Sequence, residues 1–343
     1  MSKQSKNPVT DVTIVGAGPT GLFGAFYAGL RELSVKVIDA LPQPGGQLIT
    51  LYPEKIIFDT PGFPEIRAKK LVSNLYEQAK AYNPIWALGE RALKLERVTL
   101  PGEENGKEGW LIETDKAKHY SRTVIIAAGI GAFEPKKLPN SETIDPFEDK
   151  GVEYMVSDLD SYEGKKVLIV GGGDSAVDWA LALEPIAEHV TLIHRREGFR
   201  AHDSSVNALM ASKVDVHVFY ELKELQGNGR VERAVIFDNR TDEETTLDVD
   251  GVILSLGFKA DLGPIREWGL KTIGRRYIEV DSKMQTNLPG VFAAGDVGLQ
   301  ADLDPLNLIV VGYGQVTVAV NYAYTIIKPG GKVFPGHSSE RSE

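Results

Sequence analysis

The stretch Val12 to Gly21, VTIVGAGPTG, limits what this chain can fold into more than any other. A short β-branched run, Val12 to Val15, predicts a buried parallel strand. It breaks into Gly16, Gly18 and Gly21 at the spacing G-x-G-x-x-G, with Pro19 and Thr20 between them. The apolar and small residues Leu22 to Leu30 then predict a helix. A strand that turns into a helix through such glycines meets three demands. Gly16 allows a tight turn, Gly18 lets backbone approach a diphosphate, and Gly21 lets the helix pack close on the strand. The helix N-terminus adds free N–H groups and the positive end of its dipole. A second strand, Val35 to Ile38, ends in Asp39, placed where a carboxylate accepts a ribose hydroxyl.

The pattern returns in the middle of the chain. Lys166 to Val170 predicts a strand, and Gly171, Gly173 and Ala176, with Asp174 and Ser175 between, give G-x-G-x-x-A. Val177 to Leu183 predicts a helix and Val190 to Ile193 the next strand. The chain is therefore an internal duplication of a dinucleotide-binding unit. The copies differ at one informative place. Asp39 lies 23 residues after Gly16; at the same offset from Gly171 stands His194, followed by Arg195 and Arg196, with Arg200 close behind. A carboxylate repels a 2′-phosphate, and a guanidinium fork holds one. The first copy suits an adenosine with a free 2′-hydroxyl, and the second suits NADP(H).

Leu41 to Gln47, LPQPGGQ, predicts a loop along the first ligand, with Tyr52 just downstream; on the residues alone Gln47 reads as a solvated loop residue and Tyr52 as a half-buried ring. Ala68 to Tyr82 has the period of an amphipathic helix, and residues 85–124 read as a β-meander. Thr123 to Gly129 predicts a buried strand, and the prolines at 135, 139 and 146 mark a linker. Asp215 to Phe237 alternates around Gly227-Asn228-Gly229, a hairpin signal. Val252 to Gly257 is the counterpart of Thr123 to Gly129. Residues 275–280 predict a short strand, Gly290 to Val297 a buried strand ending in Gly-Asp, and Ile309 to Ile327 a helix. Lys328 to Glu343 opens with Pro-Gly-Gly and turns polar, the composition of a frayed tail. The fold class expected is α/β, two Rossmann-like units with the second inserted in the first: residues 1–130 and 259–343 bind one dinucleotide, residues 131–258 the other.

Composition narrows function. The 343 residues include no cysteine, which excludes disulfides, thiolate metal sites and a redox dithiol, and fits a reducing cytoplasm. The net charge of −10 argues against nucleic acid as a partner. No apolar run reaches the roughly 18 residues of a membrane span, the N-terminus lacks a signal-peptide core, and the six histidines show no metal-binding spacing.

GAGPTG with Asp39, GGGDSA with HRR, and GVFAAGDV resemble the flavoprotein reductases with two dinucleotide-binding domains, over nearly the whole chain. The HRREGFRA segment, His194 to Ala201, is similar to thioredoxin reductases, which carry a CxxC pair just before the NADPH fingerprint. Here that region, Tyr154 to Gly164, has no cysteine, and dithiol chemistry needs sulfur. The chain looks instead like the thioredoxin-reductase-like ferredoxin–NADP⁺ reductases, which share a C-terminal extension such as Val333 to Ser339. That resemblance implies FAD in the first domain, NADPH in the second, a homodimer, and ferredoxin or flavodoxin as electron carrier. It implies Tyr52 against one face of the flavin ring and His337 of a second subunit against the other. Thr20, Gln47, Ala92, Phe133, Asp296 and Ser338 match further FAD contacts of the family. An NADPH oxidase or diaphorase using oxygen or quinone, and a non-catalytic redox sensor, are the alternative readings. The chain's acidic balance counts against ferredoxin, which is itself usually acidic; a local basic surface would overcome this, and the sequence alone places none.

Overall fold

The opening run forms β1 (Thr10–Val15) and breaks at Gly16, whose φ of 114° is backbone that only glycine adopts readily. α1 (Pro19–Leu30) follows, with proline in its first turn, where the missing N–H has no intrahelical partner to lose. β2 (Val35–Asp39) lies parallel to β1, Val12 opposite Val35 and Val15 opposite Ile38. The structure, a computed structural model, describes residues 8–103, 106–129, 131, 134–156, 158–259 and 262–336. The expected site residues Phe133, His337 and Ser338 lie outside the described residues.

After β2 the loop closes sooner than its composition suggests. Gly45 and Gly46, with φ of 125° and 52°, turn the chain into a single helical turn, α2 (Gln47–Thr50), so Gln47 opens a helix rather than ending a loop. A short hairpin, β3 (Ile56–Ile57) and β4 (Ile66–Arg67), leads into α3 (Ala68–Lys80), which buries Leu71, Val72, Leu75 and Ala79 as its period requires. β5 (Ile85–Leu88) then departs from the expected meander. It pairs parallel with β2, Lys36 opposite Ile85 and Asp39 opposite Leu88, because α3 supplies the crossover that a parallel neighbour needs. β6 (Ala92–Thr99), β7 (Glu108–Thr114) and β8 (Lys118–Ile126) do form a meander.

The second unit opens with β9 (Glu134–Pro135) and β10 (Val152–Glu153). The repeated motif forms β11 (Lys166–Gly171), α4 (Asp174–Leu183) and β12 (His189–His194), followed by α5 (Asp203–Ala211) and β13 (Asp215–Val218). An antiparallel sheet of β14 (Tyr220–Gln226), β15 (Arg233–Asp238) and β16 (Glu244–Asp248) precedes β17 (Gly251–Ser255). The parallel sheet runs β10-β17-β11-β12-β13. β18 (Phe258–Lys259) pairs antiparallel with β9 where the chain enters and leaves this unit.

The returning chain supplies β19 (Thr272–Ile273), β20 (Tyr277–Glu279), β21 (Val291–Ala293), β22 (Gly298–Leu299) and α6 (Ile309–Ile327). β21 pairs with Val124–Ile126 of β8, completing a first-unit sheet whose main path runs β5-β2-β1-β8-β7-β6. In each unit the motif strand lies between two parallel neighbours, β1 between β2 and β8, β11 between β12 and β17. The first core includes Ile14, Val37, Ile125, Phe292 and Val316, and the second Ile169, Val177, Leu183, Leu192 and Ile253. Each such side chain contributes about 1.5–3 kcal/mol when fully buried.

Contacts divide the chain into residues 1–49, 56–132 and 260–343 on one side and 50–55 and 133–259 on the other. The crossings differ from the expected 130/131 and 258/259 by one or two residues. Thr50–Lys55 is the larger difference: it groups with the second unit, its Lys55 ammonium 2.9 Å from the Asp178 carboxylate of α4. Tyr52, expected on the flavin of the first domain, belongs to this segment, and Lys55 lies 5.9 Å over its ring.

The tail is also held further than its composition suggests. Arg31, at the end of α1 and only 6% exposed, donates to Asn321 Oδ1 at 3.0 Å and to the carbonyls of Lys332 and Val333 at 2.9 and 3.2 Å. Its guanidinium lies 3.8 Å over the Tyr324 ring. A buried guanidinium left without these acceptors would be costly, so the frayed tail cannot begin at Lys328.

Candidate functional site

Each unit carries its own glycine turn and its own candidate site. At the first, Gly16 N–H bonds the Ile38 carbonyl at 2.8 Å and ties the turn to β2. A Cβ on Gly16 would sit 2.3 Å from the Ala127 carbonyl oxygen, and one on Gly21 1.8 Å from that of Gly16. These two glycines are therefore required by the fold itself. Gly18 is different. Its φ of −69° and ψ of −178° suit any residue, and a Cβ there would meet nothing within 4 Å. Neither backbone nor neighbours demand glycine, so the open space at the start of α1 fits a ligand group that must touch the backbone, as a diphosphate does.

The surroundings of Gly18 suit the rest of such a ligand. Asp39 accepts the Ala17 N–H at 2.5 Å and the Leu41 N–H at 2.8 Å, which fixes its carboxylate beside the turn. Burial raises its pKa, and the two backbone bonds oppose the rise. The Glu90 N–H bonds the Asp39 carbonyl at 2.9 Å, bringing partly buried Ala92, at the start of β6, to the same edge. Gln47 Nε2 donates to Asp296 Oδ2 at 3.2 Å, so two expected contacts far apart in sequence meet. Burial raises the Asp296 carboxyl, while Gln47 and the Arg276 charge hold it down. Thr20 packs where a Cβ on Gly295 or Gly312 would clash with its hydroxyl, at 2.8 and 2.3 Å.

The second turn repeats the logic. A Cβ on Gly171 would meet the Ser255 carbonyl oxygen at 2.5 Å and the Ala176 methyl at 2.9 Å. Gly173 has extended backbone, φ −101° and ψ 179°, with nothing within 4 Å of an added Cβ. Ser175 is exposed beside it. The segment after β12 is drawn to this turn: Arg200 N–H bonds the Gly172 carbonyl at 2.7 Å, and His202 N–H bonds Asp174 Oδ1 at 3.1 Å. The Asp174 carboxylate thus anchors the loop, while its backbone N–H lies in the first turn of α4. An open polar pocket of about 230 Å³, lined by Asp174, Arg200, Ala201, His202 and Asp203, adjoins it.

The expected trio His194, Arg195 and Arg196 separates. Both arginines are exposed at the end of β12, whereas His194 is 8% exposed and turns inward. Its ring would lie 2.3 Å from a Cβ on Gly172 and packs 5.1 Å from Phe199. Because a carbonyl only accepts, its Nε2 carries the proton that bonds the Gly198 oxygen at 3.2 Å. Burial lowers its pKa, the arginines 195, 200 and 196 lower it further, and the Gly198 bond opposes them. The imidazole therefore stays neutral near pH 7 and supports the turn from beneath, in place of the phosphate-binding role its position suggested.

Sequence reasoning missed Gly46, Gly172, Gln315, Arg276 and Asn239. A Cβ on Gly46 would lie 3.0 Å from the Gly18 Cα. Gln315 accepts the Gly295 N–H at 2.8 Å. The glycines of the apolar run Ile309 to Ile327 were the available signal, since Gly312 marks a close approach that a helix interior otherwise avoids.

Comparison with known proteins identifies the family and the fold. Residues 10–323 match the family described as pyridine nucleotide-disulphide oxidoreductase. A ferredoxin–NADP reductase of Symbiobacterium thermophilum is 55% identical over 334 residues, 96% of this chain and 97% of that protein. One from Sulfurisphaera tokodaii is 50% identical over 332 residues, 96% and 97% of the two chains. Among solved structures, thioredoxin reductase of T. acidophilum superposes with a TM-score of 0.74 at 27% identity, covering 92% of this chain and 98% of that one. Thioredoxin reductase of Lactococcus lactis does so with 0.72 at 26% identity, covering 93% and 99%.

Proposed function

The chain belongs to the pyridine nucleotide-disulphide oxidoreductase family, and from that premise we propose that it is an FAD-dependent ferredoxin–NADP⁺ reductase. One observation carries the reading: two open glycine cradles, one backed by Asp39 and the other flanked by exposed Arg195 and Arg196, in a chain with no cysteine. A thioredoxin reductase of this fold would need a dithiol between flavin and substrate. Here electrons leave the first unit directly for a protein carrier, ferredoxin or flavodoxin. FAD, when bound, supplies the exchange between a two-electron hydride donor and a one-electron acceptor. The protein's own groups bind and orient. Gly18 and the N–H groups opening α1 take the diphosphate, Asp39 the ribose hydroxyls, and Gln47 with Asp296 the polar chain leading to the ring. Gly173 takes the NADPH diphosphate, and Arg195 with Arg196 its 2′-phosphate. In this proposal the enzyme acts in the cytoplasm, whose reducing conditions a chain without cysteine fits. No described helix is long and apolar enough to cross a membrane.

The test is anaerobic. NADPH is expected to bleach the bound flavin, and mixing with ferredoxin or flavodoxin to restore its colour faster than mixing with a quinone. Failure of both carriers, with rapid restoration by quinone or oxygen, would replace the reading with a diaphorase.

The functional molecule is a homodimer in this proposal. Leu303 and Leu306 are 58% and 66% exposed, and Leu308 and Val310 follow them, an apolar run that a monomer would leave in water. Tyr52 and His337, the latter from the second subunit, would take the two faces of the flavin ring. Removing residues 337–343 is then expected to leave FAD bound and the dimer intact in sedimentation, because the Arg31 bonds that hold the tail, to Lys332 and Val333, lie upstream of the deletion. Flavin fluorescence and the rate of reaction with oxygen should both rise. Unchanged spectra and rates would make the tail a loose end.

A further inference from the structure

The arginines that face the NADPH 2′-phosphate sit on the exposed segment following β12, and an exposed loop must be held if two guanidinium forks are to meet one phosphate. Two of its ties come from the dinucleotide motif itself: His194 to the Gly198 carbonyl and Arg200 N–H to the Gly172 carbonyl. A third comes from outside the motif. Asn239, just after β15 in the antiparallel sheet, donates through Nδ2 to the Arg195 carbonyl at 3.0 Å and to Glu221 Oε1 at 2.9 Å. An amide nitrogen has two hydrogens, and both are used. Both partners are acceptors, so the amide can face only one way. Its own N–H bonds the Phe219 carbonyl at 2.8 Å, so the donor is fixed at its base as well. The neighbouring Arg240 is committed elsewhere: it bonds Asp238 at 2.5 Å and lies 4.2 Å over the Phe219 ring.

We propose that Asn239 is a positioning residue for nucleotide choice: clamped by Glu221, it fixes the Arg195 carbonyl and thereby aims Arg195 and Arg196 at the 2′-phosphate. This rests on the reading of those arginines as the 2′-phosphate site. The antiparallel sheet then has a part in specificity that its distance in sequence from the HRR motif conceals.

The test uses the flavin-loaded full chain and the Asn239→Ala variant, or Asn239→Ser should the alanine variant not fold. Calorimetry gives the dissociation constants of adenosine 2′,5′-bisphosphate and of AMP, and steady-state kinetics gives KM and kcat for NADPH and NADH with ferricyanide. The loss of one hydrogen bond predicts affinity for the bisphosphate weakened about fivefold to tenfold, with AMP, kcat and the NADH KM within about twofold. The same substitution in an Arg195→Ala, Arg196→Ala background should add nothing. A bisphosphate affinity that does not change, or that falls in step with AMP, overturns the inference while the arginine site stands. If the arginine pair can be removed without losing NADPH preference, the underlying reading fails, and the inference with it.

Discussion

Gly18→Val is expected to yield a folded, colourless protein, and Gly173→Val a yellow one that NADPH no longer bleaches. The reason lies in what each glycine touches. At both positions the backbone is extended and an added Cβ meets no protein atom. Valine is thus tolerated by the chain itself, at a cost of roughly 1 kcal/mol for a poorer N-cap. What it fills is the space a diphosphate must enter. FAD content in Gly18→Val should fall below about a tenth of the unaltered level, since every 1.4 kcal/mol of lost contact is tenfold. Gly16→Val provides the contrast: with φ at 114° and the Ala127 oxygen 2.3 Å from the new Cβ, it should fail to fold. Circular dichroism separates the cases, and visible absorbance reads the flavin. Colour lost in Gly173→Val and kept in Gly18→Val would exchange the roles of the two units.

The duplication and both motif strands were legible because short-range rules govern them: a buried parallel strand reads as a β-branched run, and a strand-to-helix turn needs glycine at fixed offsets. α6 is legible for the same reason, its mostly apolar and small residues spanning Ile309–Ile327. What escaped was set by partners distant in sequence. β5 reads like a meander strand, and only its pairing with β2 makes it parallel. Gln47 and Asp296, 249 positions apart, were singled out one by one, but nothing local says that they touch. His194 has the right offset for a phosphate ligand, and its burial beneath Gly172 is invisible until the strand's two faces are known. Arg31 and Asn239 carry no motif at all; each is recognisable only by the backbone carbonyls it reaches.

Replacing Arg195 and Arg196 together by alanine is expected to abolish preference for NADPH. The two side chains are exposed, so the substitutions leave the core intact and the effect falls on the ligand. Each charge-assisted contact to a phosphate contributes about 1.5–3 kcal/mol, which predicts a 10–100-fold loss in affinity per arginine and more for the pair. NADH has no 2′-phosphate to lose, so its KM should stay nearly constant and kcat with it. His194 sharpens the expectation. Were it a phosphate ligand, protonation would tighten binding as pH falls through the usual histidine range. It is buried beneath Gly172, and burial and the flanking arginines lower its pKa, both of which disfavour that role. NADPH selectivity should therefore show no histidine step between about pH 6 and pH 8, only the titration of the 2′-phosphate itself near pH 6. Steady-state kinetics with both nucleotides across that range checks both points. A double variant that still distinguishes NADPH from NADH would move the 2′-phosphate away from the end of β12. It would also leave the exchange of Asp39 for a basic cluster, the clearest difference between the two halves of the chain, without a chemical reason.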